Sequence, residues 1–336
     1  NLLLQRGGLD SAKTLLQEEI TKKLDLKQIC STSHVFNIAD LGCSIGSNTF
    51  FAVQNIIEAV VSKYKSQGLP SLEFHVFFND HIENDFHTLF KSLTPYRNYF
   101  AAGVPGNFYS RLFPKATMHF VHSSYALHWL SMVPNEVQDK NSPSWNKGRI
   151  FYESKEVKNV YAAQFDIDIG SFLDARAMEI VCGGFMAIIL PSIRAGADPF
   201  KCRATAVLHL LGSSLLDIAN MGLLDEAEVD SFNRPMYFTS PAELEAVIRR
   251  NGCFEVERLE QWAHPTSQVS AEQFALTVRS TKEGIIRGHF GSEIIDDLFN
   301  LFTKKVIDSG LFPDSGYLLP SELFVLLKRI DDNIER

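Results

Sequence analysis

The sequence predicts an α/β fold: a doubly wound, mostly parallel sheet with a helical cap over the ligand site. Segments typical of strands alternate with segments typical of helices, which is the pattern of βαβ units. The segment Phe185–Pro191 is almost entirely apolar, as a strand covered on both faces should be. In such sheets ligands bind beyond the carboxyl ends of the strands.

The elements follow in order along the chain. A helix is predicted over Leu9–Leu26, where apolar residues recur at helical spacing. We then expect strands at 35–40, 73–78, 118–124 and 185–191, with helices over 48–64 and 85–92. Beyond Pro191 we expect helices over 204–221, 241–251 and 294–307 and strands over 253–260 and 323–330. We therefore predict a core at 1–200, a cap at 201–250 and 285–318, and returns to the core sheet at 251–284 and 319–336.

Composition excludes several classes of protein. The 336 residues are 45% hydrophobic and 21% charged, which is typical of a globular chain. The formal net charge of −8 argues against nucleic-acid binding, which requires a basic face. No stretch is long and apolar enough to predict a membrane span. The five scattered cysteines contain no CxxC pair, so we expect a reducing, cytoplasmic location and no zinc site. Because the sequence begins with Asn rather than Met, we expect further residues before Asn1.

A glycine-rich turn follows the first predicted strand. Asp40, Gly42 and Gly46 lie between that strand and the next predicted helix, and the glycines would let the backbone approach a ligand closely. The segment is neither a phosphate loop nor a GxGxxG dinucleotide motif. An acidic residue followed by Gly-x-x-x-Gly instead favours S-adenosylmethionine (SAM), because a carboxylate can receive its ammonium group directly or through water.

A second carboxylate supports this interpretation. Asp80 follows the predicted strand Glu73–Phe78, where a carboxylate can accept hydrogen bonds from both hydroxyls of a ribose. Two consecutive predicted strands end in acidic residues, and glycines follow the first of them. This combination is more typical of a ligand site than of turns with only a structural role.

Many motifs in order resemble the plant SABATH methyltransferases, which transfer a methyl group from SAM to carboxylates of small metabolites or to nitrogens of purine alkaloids. The sequence of residues 138–150 most resembles the branch that contains loganic acid methyltransferases. The branch of the farnesoic acid type is the next most similar. The matching segments are Asp40-Leu-Gly-Cys-Ser44, Val76-Phe-Phe-Asn-Asp80, Gly103-Val-Pro-Gly106, Ser123-Ser-Tyr-Ala-Leu-His-Trp-Leu-Ser131, Asn146-Lys-Gly148, Ala175-Arg-Ala177, Asp230-Ser-Phe-Asn233 and Val325-Leu-Leu-Lys328.

The resemblance implies a SAM-binding core, a homodimer and two sets of site residues. The cofactor contacts carry over onto Asp40, Gly42, Cys43, Asn48, Asp80, His81, Asn107 and Phe108, with Phe108 packing on the adenine. The acceptor site carries over onto Gln5, Tyr125, His128, Trp129, Val207 and Leu208. Within it, Gln5 and Trp129 position the substrate carboxylate and no residue acts as a catalytic acid, base or nucleophile.

The chain departs from the family pattern at three positions. Asn107 and Leu2 stand where the family usually has Ser, and each removes a hydroxyl near the cofactor. Leu208 stands where the loganic acid branch is expected to carry His, and the neighbouring His209 lies about 100° away around a helix. Apolar Val207 and Leu208 therefore favour a less polar acid than an iridoid glycoside.

The chemistry agrees with these residue types. A carboxylic acid is already ionised at neutral pH, so it needs no general base, and positioning it against the methyl donor can lower the barrier by roughly 7–11 kcal/mol. The neutral N–H groups of Gln5 and Trp129 can orient a carboxylate without neutralising it. Two alternatives stay open: an N-methyltransferase of xanthine-type alkaloids, in which His128 would act as a base, and a protein of this fold that has lost catalysis and only binds a ligand.

Overall fold

The computed structural model describes residues 2–29, 34–69, 72–263, 270–311 and 321–331, with side chains from Arg6 onward. The helices are α1 (Leu2–Lys23), α2 (Leu26–Ile29), α3 (Ser47–Ser66), α4 (Phe86–Lys91), α5 (Lys155–Glu179), α6 (Arg203–Asn220), α7 (Glu226–Ser231), α8 (Pro241–Asn251), α9 (Ala271–Phe290) and α10 (Ile295–Asp308). The strands are β1 (Val35–Leu41), β2 (Glu73–Asp80), β3 (Phe100–Pro105), β4 (Met118–Ser124), β5 (Ile180–Ser192), β6 (Phe254–Ala263) and β7 (Ser321–Arg329).

Seven strands of the described ranges form one sheet in the order β3-β2-β1-β4-β5-β7-β6. β7 runs antiparallel to its neighbours β5 and β6, and the other neighbouring pairs are parallel. The strand order reverses between β1 and β4, which is the topological switch point where such sheets bind ligands. The mixed, mostly parallel α/β fold predicted from the sequence is confirmed.

The sheet separates two apolar layers. Along β5, Phe185, Ala187 and Ile189 pack with the helices α1 and α3 on one face. Met186, Ile188 and Leu190 alternate with them and face the layer that contains α5, α6 and α10. This alternation of a strand buried on both faces explains why the segment is uniformly apolar in sequence.

The cap is built mainly from helices after β5. α9 packs against α10, and α10 packs against α6. Three of the helices in this half begin with full capping boxes, at Asp225 for α7, Ser240 for α8 and Ser270 for α9, in which the capping residue and the residue three positions later bond reciprocally. α9 carries one face over the carboxyl ends of the strands, where Ile285 lines the main cavity.

The structure differs from the predicted elements in several places. α1 begins at Leu2 rather than Leu9, and α2, β3, α5, α7 and α9 were not predicted. β3 is an edge strand with a half-exposed surface, so its apolar pattern is weak in sequence. The core and cap boundaries stay a prediction; within the range 251–284, β6 joins the sheet, whereas α9 from Ala271 packs on the cap helix α10.

None of the helices in these ranges is long and apolar enough to cross a membrane.

Candidate active site

A cavity of about 710 Å³ lies beyond the carboxyl ends of β1, β2 and β4. Its size is within the usual range for sites that bind small molecules. Nine of the residues predicted from the sequence line it, together with residues of the following loops and of the cap. The predicted ones are Asp40, Gly42, Cys43, Asn48, Asp80, His81, Phe108, Tyr125 and Trp129.

The turn after β1 requires glycine at position 42. Gly42 has φ +78°, and a Cβ there would stand 2.4 Å from the Cβ of Ala126. The backbone N–H groups of Gly42 and Cys43 both donate to the carbonyl of Asn79, at 2.9 and 3.0 Å. The turn is thus fixed to the end of β2 and leaves open space in front of it. Burial raises the pKa of the Cys43 thiol, which therefore stays protonated.

Asp40 at the end of β1 is almost fully buried, with 3% of its surface exposed. Its Oδ1 lies 2.6 Å from Nδ1 of His122 on the neighbouring strand, and its Oδ2 accepts a hydrogen bond from the Thr49 hydroxyl. The pairing of β1 with β4 sets Asp40 directly beside His122. These bonds fix the carboxylate at the edge of the cavity, and each oxygen keeps acceptor capacity for a further ligand.

Asp80 ends β2 and is anchored by backbone donors. Its Oδ2 accepts from the N–H of Ser44 and its Oδ1 accepts from the N–H of His81, both at 2.7 Å. Each carboxylate oxygen retains a second lone pair. The fixed carboxylate can therefore accept two hydroxyl groups side by side, as a ribose presents them.

Phe108 forms an apolar wall of the same cavity. Its ring is 7% exposed and packs edge-on against Phe172, with ring centroids 6.1 Å apart. The buried Arg176 donates to the Phe108 carbonyl at 2.9 Å, which holds the loop in place. Asn107 is exposed, and its side chain accepts from the Tyr109 N–H at 2.9 Å. Asn107 therefore shapes this loop, and it does not line the cavity in the described structure.

Tyr125 and Trp129 also line the cavity. Tyr125 has a left-handed backbone, with φ +54°, and its hydroxyl donates to Glu322, whose other oxygen accepts from the Trp262 indole at 2.8 Å. Strained non-glycine residues of this kind cluster at functional sites. The indole N–H of Trp129 forms no hydrogen bond within the described residues, although its backbone carbonyl accepts from Tyr109 at 2.5 Å.

His128 lies behind this wall. It is 8% exposed, stacks on Phe238 with centroids 6.3 Å apart, and does not line the cavity in the described structure. Burial first, and then the nearby charges of Lys282 and Arg234, lower the pKa of His128 to about 3. The imidazole is therefore neutral at physiological pH and a weak base.

Val207 and Leu208 on α6 are buried in the cap core rather than at the cavity surface. The neighbouring His209 points elsewhere, because its Nδ1 lies 2.9 Å from a Glu153 carboxylate and the ring lines a separate cavity of about 320 Å³. The contribution of Val207 and Leu208 to acceptor choice stays a prediction. Leu2 and the side chain of Gln5 lie outside the side chains that the structure describes.

The model of the SAM-dependent carboxyl methyltransferase family matches residues 1–329. The chain belongs to this family, the SABATH methyltransferases. It is an enzyme that methylates carboxylates of small plant acids with SAM as the methyl donor.

Individual relatives match over nearly the whole chain. A loganic acid O-methyltransferase of Catharanthus roseus is 48% identical over 337 residues, which cover 98% of this chain and 90% of the relative. A farnesoic acid carboxyl-O-methyltransferase of Arabidopsis thaliana is 39% identical over 323 residues, 95% of this chain and 91% of that one. A solved structure of loganic acid methyltransferase with SAH superposes with a TM-score of 0.95 at 46% identity, covering 100% of this chain and 96% of that one.

The residues of this SABATH enzyme fit the cofactor. The turn at Gly42 lines the cavity with backbone, Asp80 offers two anchored oxygens, and the Phe108 ring provides a flat apolar surface. No group of three or more His, Cys, Asp or Glu side chains in the described ranges is placed to hold a metal ion.

The sequence analysis did not identify two cations that lie beside the Trp129 ring. The Arg234 guanidinium carbon lies 5.1 Å from the centroid of the Trp129 ring, and the Lys282 ammonium lies 5.6 Å from the same centroid. Arg234 directly follows the quoted motif Asp230-Ser-Phe-Asn233, so a cation before the apolar stretch 235–238 was the available signal. Lys282 carries no comparable signal, because a lysine on an amphipathic helix is usually solvated.

Proposed function

We propose that this enzyme converts the carboxylate of a small terpenoid or iridoid-type acid to its methyl ester, with S-adenosylhomocysteine as the second product. The observation that supports this best is the free indole N–H of Trp129, which lines the same cavity as the Asp40 and Asp80 carboxylates. A single cavity lined by two carboxylates and a neutral N–H donor suits a cationic methyl donor and an anionic acceptor.

Each residue has a proposed role. Asp80 accepts the ribose hydroxyls, and Asp40 receives the ammonium group directly or through water, with the acceptor capacity that its oxygens keep beside His122 and Thr49. Phe108 packs on the adenine, while Gly42, Cys43, Asn48, His81 and Asn107 complete the cofactor site. Tyr125, His128, Val207 and Leu208 shape the acceptor site, and Gln5 assists Trp129.

The reaction needs positioning rather than acid-base chemistry. When bound, SAM supplies a methyl group on a positively charged sulfur. The acceptor carboxylate is ionised at neutral pH, so no proton has to be removed before one of its oxygens bonds to the methyl carbon and the bond to sulfur breaks. The indole N–H of Trp129 would orient the carboxylate, and the apolar walls would exclude water, which strengthens the attraction between the two charges.

The xanthine alternative is less well supported. A nitrogen acceptor would benefit from a base, and His128 is the group that the sequence offered for that role. Its buried ring, with a pKa lowered to about 3 by burial and by neighbouring cations, is poorly suited to take a proton at neutral pH.

Methyl transfer from labelled SAM to a panel of acids and xanthines, with mass detection of the products, tests the proposal. The panel holds loganic, farnesoic, salicylic, jasmonic, indole-3-acetic and gibberellic acids. We expect a methyl ester from at least one acid, and its loss in Trp129→Phe but not in Trp145→Phe, a matched change outside the cavity. Product from xanthines alone, or SAM binding without turnover of any compound, would contradict the proposal.

The homodimer and the cytoplasmic location stay predictions from the family resemblance and from the unpaired cysteines. Light scattering on the purified chain checks the first, and a fluorescent fusion in plant cells checks the second.

A further inference from the structure

Two positively charged side chains lie next to Trp129, which lines the cavity. Arg234 and Lys282 both lie over the Trp129 ring, at 5.1 and 5.6 Å from its centroid. Arg234 is only 2% exposed. Cations beside an indole gain some attraction from its π electrons, but that attraction is far weaker than the hydration they give up on burial.

Neither cation has a carboxylate partner among the described residues. Arg234 donates from Nε and Nη2 only to the Met236 sulfur, at 3.4 Å, and its Nη1 has no partner. Lys282 forms no ion pair in the described ranges. The neighbouring acid on its helix, Glu283, is already paired with Arg279 and Arg287.

Neither cation lines the cavity itself, but residues next to each of them do. Lys282 lies one helical turn before Ile285, and Arg234 directly precedes Pro235, and both of these apolar residues line the cavity. Because the flexible Lys side chain carries its ammonium at the end of four methylenes, it can reach a bound molecule from this position.

The cations lie over the face of the indole, whereas its N–H points outward in the plane of the ring. A carboxylate held by the N–H therefore sits at the ring edge and leaves the cations over the face without a partner. A different part of the acceptor has to supply their counter-charge.

We propose that Lys282, with Arg234 behind it, binds a second anionic group of the acceptor, so that the preferred acceptor is a dicarboxylic acid methylated at one end. This inference rests on the proposed function and specifies its substrate class. Burial first, and then the charge of Arg234, lower the pKa of Lys282 to about 7, as expected for a cation whose counter-anion comes with the ligand.

The test compares dicarboxylic acids, straight-chain and ring-containing, with the monomethyl half-esters of the same acids. Each pair has the same skeleton and differs in the second negative charge. We expect the native enzyme to bind the diacids with KM values about tenfold lower or more than those of the half-esters, as a charged hydrogen bond would give. kcat should differ less, because the second group lies away from the reacting oxygen.

Two substitutions of Lys282 separate charge from shape. Lys282→Met should bring the KM ratio of half-ester to diacid close to one, and Lys282→Gln, which keeps a polar donor, should fall between Met and the native residue. Lys304→Met, a matched change at an exposed lysine of α10, should keep the native ratio.

The outcomes are distinguishable. Equal KM values for diacids and half-esters in the native enzyme, or an unchanged KM ratio in Lys282→Met, would overturn this inference. The proposed function would still hold in that case if the enzyme methylates monoacids. SAM binding with no methyl transfer to any acid overturns the proposed function and this inference together.

Discussion

The two ends of the cavity are built in different ways. At the cofactor end, Asp80 and the turn at Gly42 are held by backbone hydrogen bonds from neighbouring strand ends. At the acceptor end, the loop after β4 with Trp129 and the segment after α7 with Arg234 are joined by two backbone hydrogen bonds, from the Leu130 N–H to the Pro235 carbonyl at 2.7 Å and from the Tyr237 N–H to the His128 carbonyl at 2.9 Å. Lys282 on the cap helix α9 meets Trp129 through its side chain. The cofactor end therefore depends on the sheet, while the acceptor end depends on how the cap packs.

The two ends also differ in the charge of the side chains around them. Two carboxylates line the proposed cofactor end. At the proposed acceptor end, two cations lie over the Trp129 ring, with no carboxylate within pairing distance in the described ranges. The proposed sites thus set a cationic donor beside carboxylates and an anionic acceptor beside cations. Four substitutions can break or sharpen this comparison, taken here from the largest expected effect to the smallest.

Removing the Asp80 carboxylate should abolish most cofactor affinity. Two charge-assisted hydrogen bonds, at about 1.5–3 kcal/mol each, correspond to a loss of about 10²–10⁴-fold in affinity. Titration calorimetry with S-adenosylhomocysteine measures it for Asp80→Ala, and Glu83→Ala, at an exposed acid nearby, should bind as the native enzyme does. Affinity within about threefold of native in Asp80→Ala would show that the ribose is not held there.

A methyl group at Gly42 should disturb both ends, since it would meet Ala126 in the loop that leads to Trp129. Backbone strain at φ +78° adds to the clash, and together they should lower the free energy of unfolding by about 2–4 kcal/mol. Gly68→Ala, at φ +64° with nothing within 4 Å, should cost only about 1–2 kcal/mol. Chemical denaturation compares the two variants, and equal losses would remove the role assigned to the contact.

Lys282→Met should stabilise the fold while it weakens recognition of the acceptor. Lys282 is half-buried and has no ion-pair partner among the described residues. Replacing such a cation by an apolar side chain should gain about 1–3 kcal/mol. Since the pKa of Lys282 falls from 10.5 unfolded to about 7 folded, the unfolded chain binds more protons between these values, so native stability rises as pH increases from 7 towards 10.5. Thermal melts of both proteins across this range measure the effect, and parallel pH profiles would contradict it.

His128→Gln should have the smallest effect on activity. Because burial and nearby cations hold the pKa of His128 near 3, its protonation does not change between pH 6 and 8, and we expect kcat/KM for an acid within about tenfold of native. The pH profile of kcat/KM should keep its native shape in His128→Gln. A loss of more than about a hundredfold, or a lost inflection in this range, would assign His128 a role as a base.

The sequence located the cofactor end with few errors of placement. Asp40, Gly42 and Cys43 lie in one short segment and Asp80 and His81 in another, and adjacent parallel strands bring the ends of such segments together. Asn107 is the exception, since it bonds within its own loop. The roles of these residues stay predictions, although all but Asn107 line the cavity.

The acceptor end was harder to read from the sequence. Trp129 and Tyr125 line the cavity as expected, whereas His128 lies behind it and Val207 and Leu208 pack into the cap core. Helix periodicity shows that a residue is on an apolar face, but not whether that face meets a ligand or another helix.

The sequence by itself determined the α/β sheet, the family and the two acidic strand ends, because each is encoded in contiguous residues with a fixed local geometry. Only the tertiary structure decided that Asp40 meets His122, that Tyr125 is tied to Glu322, and that Arg234 and Lys282 share one indole. These contacts join segments far apart in the chain. They depend on strand register and on the packing of α9 over the sheet, which no local pattern specifies.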